Sequence, residues 1–569
     1  MKAQYDASTE RIEHLKTLYT HASLRHADQI FIRVQNGSTR LGYTFQKFAA
    51  DVEALGQALC ARGLSGHHVL LMGENGYAWA VSFMTLACHV GVAVPVDKTL
   101  DARELAALAA ASDADAILYS PTCADALECL PRTVMRISFD ELPALIGEGA
   151  RRRGTEKRIS SHTATAPDAV CALIHNPSAA SDTQALIMLS HRNLCFSVMQ
   201  IAHMLHIDRD DVFLSVLPMH HVFELVCSFL LPLYCGATVA FGDGLRALSR
   251  SMRELEPTVM VCVPPILQTL YARMQDAIVQ SKHAKTLTRT LKTVNSLPSQ
   301  RLRDAARRRA LAPFYEMLGG KLRLLLSGGA PCDPYVLTRL CDMGIRAYQC
   351  YTVQECAPIA AMNGDGCCKH DSLGVALPDA LLDIYDMHED GSGLIRCKSK
   401  SVTSGYYKNP ALTKKYLRGG WFYTGDTGYL DDDGFLYLTG SRRNTIVTAG
   451  GKSIAPETVE TTLATFPCIK ESLVIGYLNT KKNDYDLIAL LFPDHDYLQT
   501  RYGKKILRAQ LDLEMRRVLS RVNTHLPPHM RIKGYLIRKS PLPKSASGKP
   551  LRARAAEEHR AEYLKKLQK

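Results

Sequence analysis

Hydrophobic positions in the long N-terminal part of the chain follow two alternating patterns. Short apolar runs typical of buried strands lie at 68–73, 92–97 and 116–120, and helical patterns lie between them at 78–91 and 101–112. Asp101 opens the second helical pattern, where its carboxylate can cap the first turn. Such alternation predicts an α/β fold with largely parallel sheets.

The longest apolar region, 212–241, predicts a buried strand and helix. Pro218, two histidines and Glu224 interrupt it, whereas a membrane span needs roughly 20 uninterrupted apolar residues. The region 273–315 is basic and helical with a break near 295–299, and it predicts an inserted helical arm.

From about residue 381 the pattern becomes β-rich, with apolar strands at 381–386, 393–399 and 434–440. A polar stretch, Ser-Arg-Arg-Asn-Thr, then precedes a smaller segment of mixed helix and strand. We therefore predict a large N-terminal domain at 1–440, with mainly parallel sheets, helices and a β-rich subdomain. A hinge at 441–445 and a small, mobile α+β C-terminal domain at 446–569 follow it.

Length and composition indicate a folded protein of more than one domain. The chain has 569 residues, of which 46% are hydrophobic and 22% charged, and it is too long for one core. Its net charge of +13 is partly clustered, at 151–153, at 301–309 and in the C-terminal tail. These clusters could contact an acidic membrane surface or polyanionic ligands, or could be solvated helix faces. We expect no nucleic-acid partner, because no zinc-finger spacing or aromatic-interleaved basic strand is present.

Cysteine usage and the N-terminal residues predict a cytoplasmic protein. The 17 cysteines do not show the regular spacing of a disulfide framework, and the first residues are polar, unlike a signal peptide. We therefore expect reduced thiols. Cys367 and Cys368 stand beside His370, but no matching second pair exists, so we expect no metal there.

Two candidate sites follow apolar strands. Ser-Gly-Gly-Ala-Pro follows the strand within 321–331, and its members Gly328, Gly329, Ala330 and Pro331 could hold a flat ring against the backbone. A tight turn is the alternative. Glu355 follows an apolar-aromatic strand and could hold Mg²⁺ beside a triphosphate. The alternative is an exposed loop acid.

Three further side chains are candidates in less specific settings. Asp426 has small neighbours that leave its carboxylate free for two ribose hydroxyls, or it is another turn aspartate. His221 lies in an apolar run, where most histidines are satisfied core residues. Lys549 follows Ser-Gly on a small loop, and could neutralise a developing phosphoryl charge or belong to a solvated tail.

In this order the motifs resemble those of one family. From 43–59 to Lys549, the chain is similar to adenylate-forming (AMP-binding) enzymes of the acyl-CoA synthetase type. The stretch 405–440, "GYYKNPALTKKYLRGGWFYTGDTGYLDDDGFLYLTG", is the most specific. The "LPMHHVFE" segment and the basic helical arm resemble the long-chain fatty acid branch.

The resemblance implies a two-step reaction. A carboxylic acid attacks the α-phosphate of ATP, giving an acyl-adenylate and pyrophosphate. The C-terminal domain then rotates, and the CoA thiol attacks the adenylate. The implied roles are adenine and nucleotide binding by Gly328, Gly329, Ala330, Pro331, Tyr351, Thr352 and Arg442, ribose binding by Asp426, Mg²⁺ binding by Glu355, catalysis by Lys549, His221 and Glu355, a hinge at Asn444, and a CoA channel at Gly450, Gly451 and Lys452.

The chain departs from the family in its phosphate loop, which we expect between a strand at 170–174 and a helix. Gln184, Ala185 and Leu186 stand where Pro-Lys-Gly is usual, although Ser178, Ser181 and Thr183 keep hydroxyl donors. Glycines let amides point inward, and a lost charge-assisted contact costs about 1.5–3 kcal/mol. Ser441 also replaces a usual arginine, and Arg442 follows it.

Three functions follow as hypotheses. The first is ATP-dependent ligation of a long-chain fatty acid to CoA, with the altered loop slowing catalysis. The second is a catalytically impaired relative that binds acyl chains or nucleotides. The third is acyl transfer to a carrier protein. These rest on family likeness, which by itself is analogy.

Overall fold

The structure is a computed structural model of the chain. It describes residues 11–36, 39–153, 166–176, 185–242, 244, 247–280, 306–307, 309, 311–389, 391–441, 446–447, 453–454, 456–479, 484–503, 507–527, 530–544, 550, 552 and 555. The chain divides into two compact units. The first contains residues 1–383, 397–423 and 431–436, and the second contains 384–396, 424–430 and 437–569.

The strands are β1 Ile30–Asn36, β2 Thr39–Thr44, β3 His68–Met72, β4 Val92–Val96, β5 Ala114–Tyr119, β6 Met135–Ser138, β7 Val170–His175, β8 Leu186–Ser190, β9 Val212–Ser215, β10 Thr238–Phe241, β11 Val259–Cys262, β12 Leu324–Ser327, β13 Arg346–Thr352, β14 Ile359–Met362, β15 Val375–Ala376, β16 Leu381–Tyr385, β17 Gly393–Lys398, β18 Leu417–Arg418, β19 Trp421–Leu430, β20 Leu436–Ser441, β21 Ile446–Val447, β22 Ser453–Ile454, β23 Ile469–Asn479, β24 Asp484–Pro493 and β25 Ile532–Ile537. The α-helices are Leu15–Arg25, Phe45–Ala61, Tyr77–Thr85, Ala102–Ala111, Leu142–Arg153, His191–Met204, Val222–Glu224, Leu231–Cys235, Leu248–Leu255, Pro264–Gln280, Ala312–Met317, Pro334–Asp342, Pro410–Tyr416, Pro456–Ala464, His495–Tyr502 and Arg508–His525. Single π-helical turns lie at Leu86–Val90 and Leu225–Leu230, and 3₁₀ segments at Pro121–Cys129, Phe139–Glu141 and Gln354–Cys356.

Nine described strands of the first unit form one sheet, in the order β15-β14-β13-β12-β11-β9-β10-β1-β2. The central pairs from β13 to β1 are parallel, and the outer pairs are antiparallel. The four residues of β12 are all buried, as expected for a parallel sheet covered on both faces. The predicted α/β fold with mainly parallel sheets is therefore confirmed.

The second sheet of the first unit has the order β6-β5-β3-β4-β7-β8. Its strands are parallel except for β7 and β8, which are antiparallel. The predicted helix after 101 is also present, because Asp101 and Glu104 form a reciprocal capping box at its start. The strand–loop–helix layout predicted around the phosphate loop is wrong in one respect: β8 lies between that loop and the helix His191–Met204.

The β-rich region predicted from residue 381 contains β16 to β20, in a sheet of order β16-β17-β19-β18 with β20 paired to β19. Asp431 and Gly434 form the turn between β19 and β20, and Gly434 has φ +81°, which suits glycine. The second unit contains the sheet β23-β24-β25 and the last three helices. Buried side chains such as Val474, Leu491 and Val522 form its core.

The predicted domain boundary stays a prediction, because residues 442–445 lie outside the described part of the chain. The same holds for most of the predicted helical arm, of which the helices Pro264–Gln280 and Ala312–Met317 are described. Every helix in the described ranges is too short or too polar to cross a bilayer.

Candidate functional site

The glycine-rich turn lies where two parallel strands end. β12 and β13 are neighbours, so their carboxyl ends meet at one edge of the nine-stranded sheet. The Gly329 amide donates to the Thr352 hydroxyl at 2.9 Å. A Cβ on Gly328 would lie 2.7 Å from carbon atoms of both Phe223 and Thr352. Only glycine therefore allows this close approach of the turn to Phe223 and Thr352.

The residues predicted to hold adenine differ in exposure. Gly328 and Tyr351 are buried, Gly329 is half-buried, and Ala330 and Pro331 are exposed. The turn thus presents an accessible surface above a packed base. A flat ring could lie on such a surface, because small residues let it approach the backbone.

Glu355 is a buried carboxylate near the same edge. It lies in the 3₁₀ segment just after β13, and only 2% of the residue is exposed. Its Oε1 atom accepts hydrogen bonds from the Tyr406 hydroxyl at 2.7 Å and from Asn176 Nδ2 at 3.1 Å. The plainer alternative, an exposed loop acid, does not describe this side chain.

Two paired strands flank the predicted phosphate loop. The backbone amide of Asn176 donates to the backbone carbonyl of Ala185 at 2.8 Å, which joins the two ends of the loop. One edge of β8 pairs with β7. The opposite edge of β8 pairs with the segment 405–407 through backbone hydrogen bonds of 3.0 and 2.8 Å. Ala185 and Leu186, which the resemblance aligns with a lysine and a glycine of the family, are both buried. These two positions therefore contribute to packing.

Leu186 belongs to the core of the six-stranded sheet, where it packs with Leu70, Val94 and Leu173. We expect Leu186→Ala to lower the free energy of unfolding by about 2–4 kcal/mol, because it removes buried methyl groups and leaves a cavity. Urea unfolding followed by circular dichroism measures this. Leu24→Ala is the matched control, since Leu24 is 80% exposed and should change stability by less than about 0.5 kcal/mol. Equal effects of the two substitutions would contradict the packing role.

His221 begins a short helix beside the glycine-rich turn. Its backbone amide bonds to the Pro218 carbonyl at 3.1 Å, and its ring lies 4.3 Å from that of His220. Burial and the neighbouring His221 lower the pKa of His220 to about 3, although Asp97, 3.6 Å away, opposes them. His220 is therefore a neutral imidazole at physiological pH. Phe223, two residues after His221, packs against Gly328 and brings this segment to the turn.

Glu224 fixes the short helix that His221 begins to the end of β9. It is fully buried and accepts hydrogen bonds from the Ser215 hydroxyl at 2.7 Å, the Ser228 hydroxyl at 2.9 Å and the Val216 amide at 3.1 Å. Burial raises the pKa of Glu224 to about 8, against the opposing effect of these bonds. Asn75 extends the network, because its Nδ2 donates to Ser215 at 2.9 Å. Glu224 is thus a neutral acid at pH 7.

Asp426 lies in the second unit, within β19. It is a strand residue, unlike the turn aspartate weighed as its alternative. Its backbone amide donates to the Thr424 hydroxyl at 3.1 Å, and that hydroxyl donates to the Ile395 carbonyl at 3.0 Å. Gly425, with φ +80°, lies between them. The Asp426 side chain is half-buried.

Several predicted residues lie outside the described part of the chain. They are the loop hydroxyls Ser178, Ser181 and Thr183, the nucleotide-binding candidate Arg442, the hinge residue Asn444, the CoA-channel residues Gly450, Gly451 and Lys452, and the catalytic candidate Lys549. Their roles stay predictions. Within the first unit, the structure brings the glycine-rich turn together with Thr352, and Glu355 follows β13 by three residues.

Three polar residues that hold these groups were not predicted from the sequence: Asn75, Asn176 and Tyr406. Asn176 directly precedes the phosphate loop, and Tyr406 lies in the "GYYKNP" stretch that carried the resemblance. For Asn176 and Tyr406, this position was a usable signal. Their contacts were not, because each bonds to a residue far away in the chain.

Comparisons with known proteins agree with this architecture. The family model described as AMP-binding enzyme matches residues 20–407. Long-chain-fatty-acid–CoA ligase FadD15 of Mycobacterium bovis is 26% identical over 461 residues, which are 76% of this chain and 75% of the relative. Long chain acyl-CoA synthetase 1 of Arabidopsis thaliana is 24% identical over 485 residues, covering 76% and 72%. The crystal structure of ATP-bound MatB from Rhodopseudomonas palustris shares the fold, with a TM-score of 0.75, 19% identity and coverage of 96% and 99%.

Proposed function

Because the chain belongs to the AMP-binding enzyme family, we propose that it joins a long-chain fatty acid to CoA at the expense of ATP. The fatty acid carboxylate attacks the α-phosphate of ATP, giving an acyl-adenylate and pyrophosphate. The CoA thiol then attacks the acyl carbonyl and releases AMP. Relatives named for long-chain acids support this substrate class.

The position of Glu355 carries the proposal. It is a buried acid that follows β13 of the nine-stranded sheet, and its partner Asn176 directly follows β7 of the six-stranded sheet. The ends of both sheets thus meet beside the base of the phosphate loop. Ligands of open α/β sheets bind at the carboxyl ends of strands.

The residues present fit a magnesium ion that arrives with ATP. Mg²⁺ prefers hard oxygen ligands and commonly takes one or two carboxylates together with substrate phosphates. Glu355 offers such a carboxylate, with Oε1 fixed by two donors. The bound ion would neutralise charge that develops on the phosphates.

We assign the remaining roles by motif position. Gly328 to Pro331, Tyr351, Thr352 and Arg442 would bind the nucleotide, and Asp426 would accept the ribose hydroxyls. Lys549 and His221 would face the reacting carboxylate. A hinge at Asn444 would let the C-terminal domain bring Gly450, Gly451 and Lys452 to CoA.

We also place the enzyme in the cytoplasm. All 17 cysteines are free thiols, which suits a reducing compartment. Its basic clusters suit transient contact with an acidic membrane surface, where an insoluble fatty acid would be found.

Pyrophosphate release tests this function directly. With ATP, Mg²⁺ and a panel of fatty acids, we expect acid-dependent release that is fastest for long chains. Lys549→Ala should slow it by about ten- to a hundred-fold, because a charge-assisted contact is worth about 1.5–3 kcal/mol. Lys544→Ala is the matched control, since Lys544 is paired with Glu471 at 2.6 Å.

The acceptor is identified in the same assay. Acyl-CoA formation that needs only CoA supports the ligase, and product that forms only with carrier protein supports acyl transfer to that carrier. Tight binding of a palmitate-sized acid without any pyrophosphate release would overturn the ligase and favour an impaired binding relative.

A further inference from the structure

We propose that Tyr406 and Asn176 are positioning residues that aim the Glu355 carboxylate at the metal ion. This inference rests on the proposed function, because it takes Glu355 as the magnesium ligand. It assigns a role to two residues that the motif comparison left without one. It also explains why this acid is buried without being paired to a described cation.

Both donors act on the same oxygen of Glu355. The Tyr406 hydroxyl lies 2.7 Å from Oε1 and Asn176 Nδ2 lies 3.1 Å from it. Among the described residues, none donates to Oε2. A carboxylate held in this way cannot rotate freely, so Oε2 keeps one direction. Partners behind a metal ligand commonly fix its orientation in this manner.

Tyr406 is itself held firmly. Only 2% of the residue is exposed, and its backbone amide donates to the Thr413 hydroxyl at 3.0 Å. Gly405, with φ +140°, makes this possible, because a Cβ there would lie 2.6 Å from Thr413 Cγ2. The segment also pairs with β8 at Ile187. The backbone position from which the Tyr406 side chain extends towards Glu355 is therefore fixed.

The Glu355 backbone is fixed by the same segment. Its carbonyl accepts the Thr403 amide at 2.7 Å. Asn176 reaches Glu355 from the end of β7 in the six-stranded sheet. Its backbone amide bonds to the Ala185 carbonyl and so joins the two ends of the phosphate loop. The geometry thus couples three parts: Asn176 at the end of β7, the acid and the "GYY" stretch. A change in either donor should alter metal affinity before it alters folding.

The test compares two neighbouring tyrosines. Tyr406→Phe removes the hydroxyl that reaches Glu355 and keeps the ring. Tyr407→Phe removes an equivalent hydroxyl, which donates to Asp113 at 2.7 Å. Binding of Mn²⁺ in the presence of ATP, followed by electron paramagnetic resonance, and the Mg²⁺ dependence of pyrophosphate release are measured for both and for Asn176→Ala.

We expect Tyr406→Phe and Asn176→Ala each to weaken Mn²⁺ binding by about ten-fold and to raise half-saturating Mg²⁺ equally, as for other residues behind metal ligands. The KM for fatty acid should stay unchanged at saturating Mg²⁺, and Tyr407→Phe should behave as wild type. Should Tyr406→Phe lower the thermal midpoint by more than about 5 °C, Asn176→Ala decides the question. Metal affinities within two-fold of wild type in both variants would overturn the inference.

The two proposals fail in different ways. Mn²⁺ binding needs no turnover, so it decides the positioning role even if wild type releases no pyrophosphate. In that case the proposed function fails alone. If wild type is active and the variants bind metal normally, the positioning role fails alone.

Discussion

Replacing Glu355 by glutamine is expected to lower acid-dependent pyrophosphate release by about 100- to 1,000-fold. Glutamine keeps the shape of the side chain, and its carbonyl can still accept hydrogen bonds from Tyr406 and Asn176. It loses the negative charge that a magnesium ion needs from its protein ligand. Losing one preorganised electrostatic contact at the reacting phosphate commonly costs this much.

Initial rates at saturating ATP, fatty acid and Mg²⁺ measure the effect. Glu148→Gln is a suitable control, because Glu148 is a surface acid paired with Arg62 and Arg152. It should change the rate by less than two-fold. Thermal unfolding should give closely similar midpoints for both variants. A Glu355→Gln enzyme with near-normal rates would remove Glu355 from the metal site.

Glu224 is expected to make the first unit less stable as pH rises. Burial raises its pKa to about 8, against a value of 4.5 for an ordinary glutamate. Between these values the folded state keeps a proton that the unfolded state releases, so the free energy of unfolding falls with pH. The slope is about 1.4 kcal/mol per pH unit, and the total is roughly 5 kcal/mol across the window.

Glu224→Gln isolates this contribution, because an amide does not titrate there. Urea unfolding of wild type and variant at pH 5 and pH 8 gives the comparison. The variant should be the more stable protein at pH 8, and its advantage should shrink towards pH 5. Burial also lowers the pKa values of His89 and His191 to about 3, but both proteins share these groups. A difference between the proteins that does not vary with pH would contradict the prediction. The Cys227 and Cys262 thiols, whose pKa values burial and Glu224 raise, face the same acid and stay protonated.

Local features of the fold could be predicted from sequence because they depend on neighbouring residues. The capping box at Asp101 and the glycine-rich turn after β12 are examples. The family could also be predicted, and the match over residues 20–407 confirms it. The cap and the turn need only a short window of sequence, and the family is indicated by several short motifs in a fixed order.

The environment of Glu355 could not be predicted in this way. Its partners Asn176 and Tyr406 are 179 and 51 residues away, and no pattern around Glu355 indicates them. Burial of an acid is unusual and depends on such partners. The sequence alone therefore allows an exposed loop acid, and the contacts of Glu355 with Asn176 and Tyr406 decide against it.

The strand β8 could not be predicted from the sequence for a different reason. The first four of its five residues, "LIMLS", are apolar, and the strand runs directly into the helix His191–Met204, which has an apolar pattern of its own. A short apolar run cannot be told from part of a helix by periodicity alone. Pairing with β7 decides its conformation, and pairing is a property of the folded chain.

The segment 405–407 limits how far the chain can be truncated. It covers the outer backbone groups of β8, which would otherwise be exposed and prone to aggregation. Removing it would also leave Glu355 without the Tyr406 hydroxyl. A fragment ending at 407 would still lack Leu436, whose backbone bonds to Leu373 and Gly374. An N-terminal piece that keeps all of these contacts must therefore extend to at least residue 436, well beyond the end of the family match.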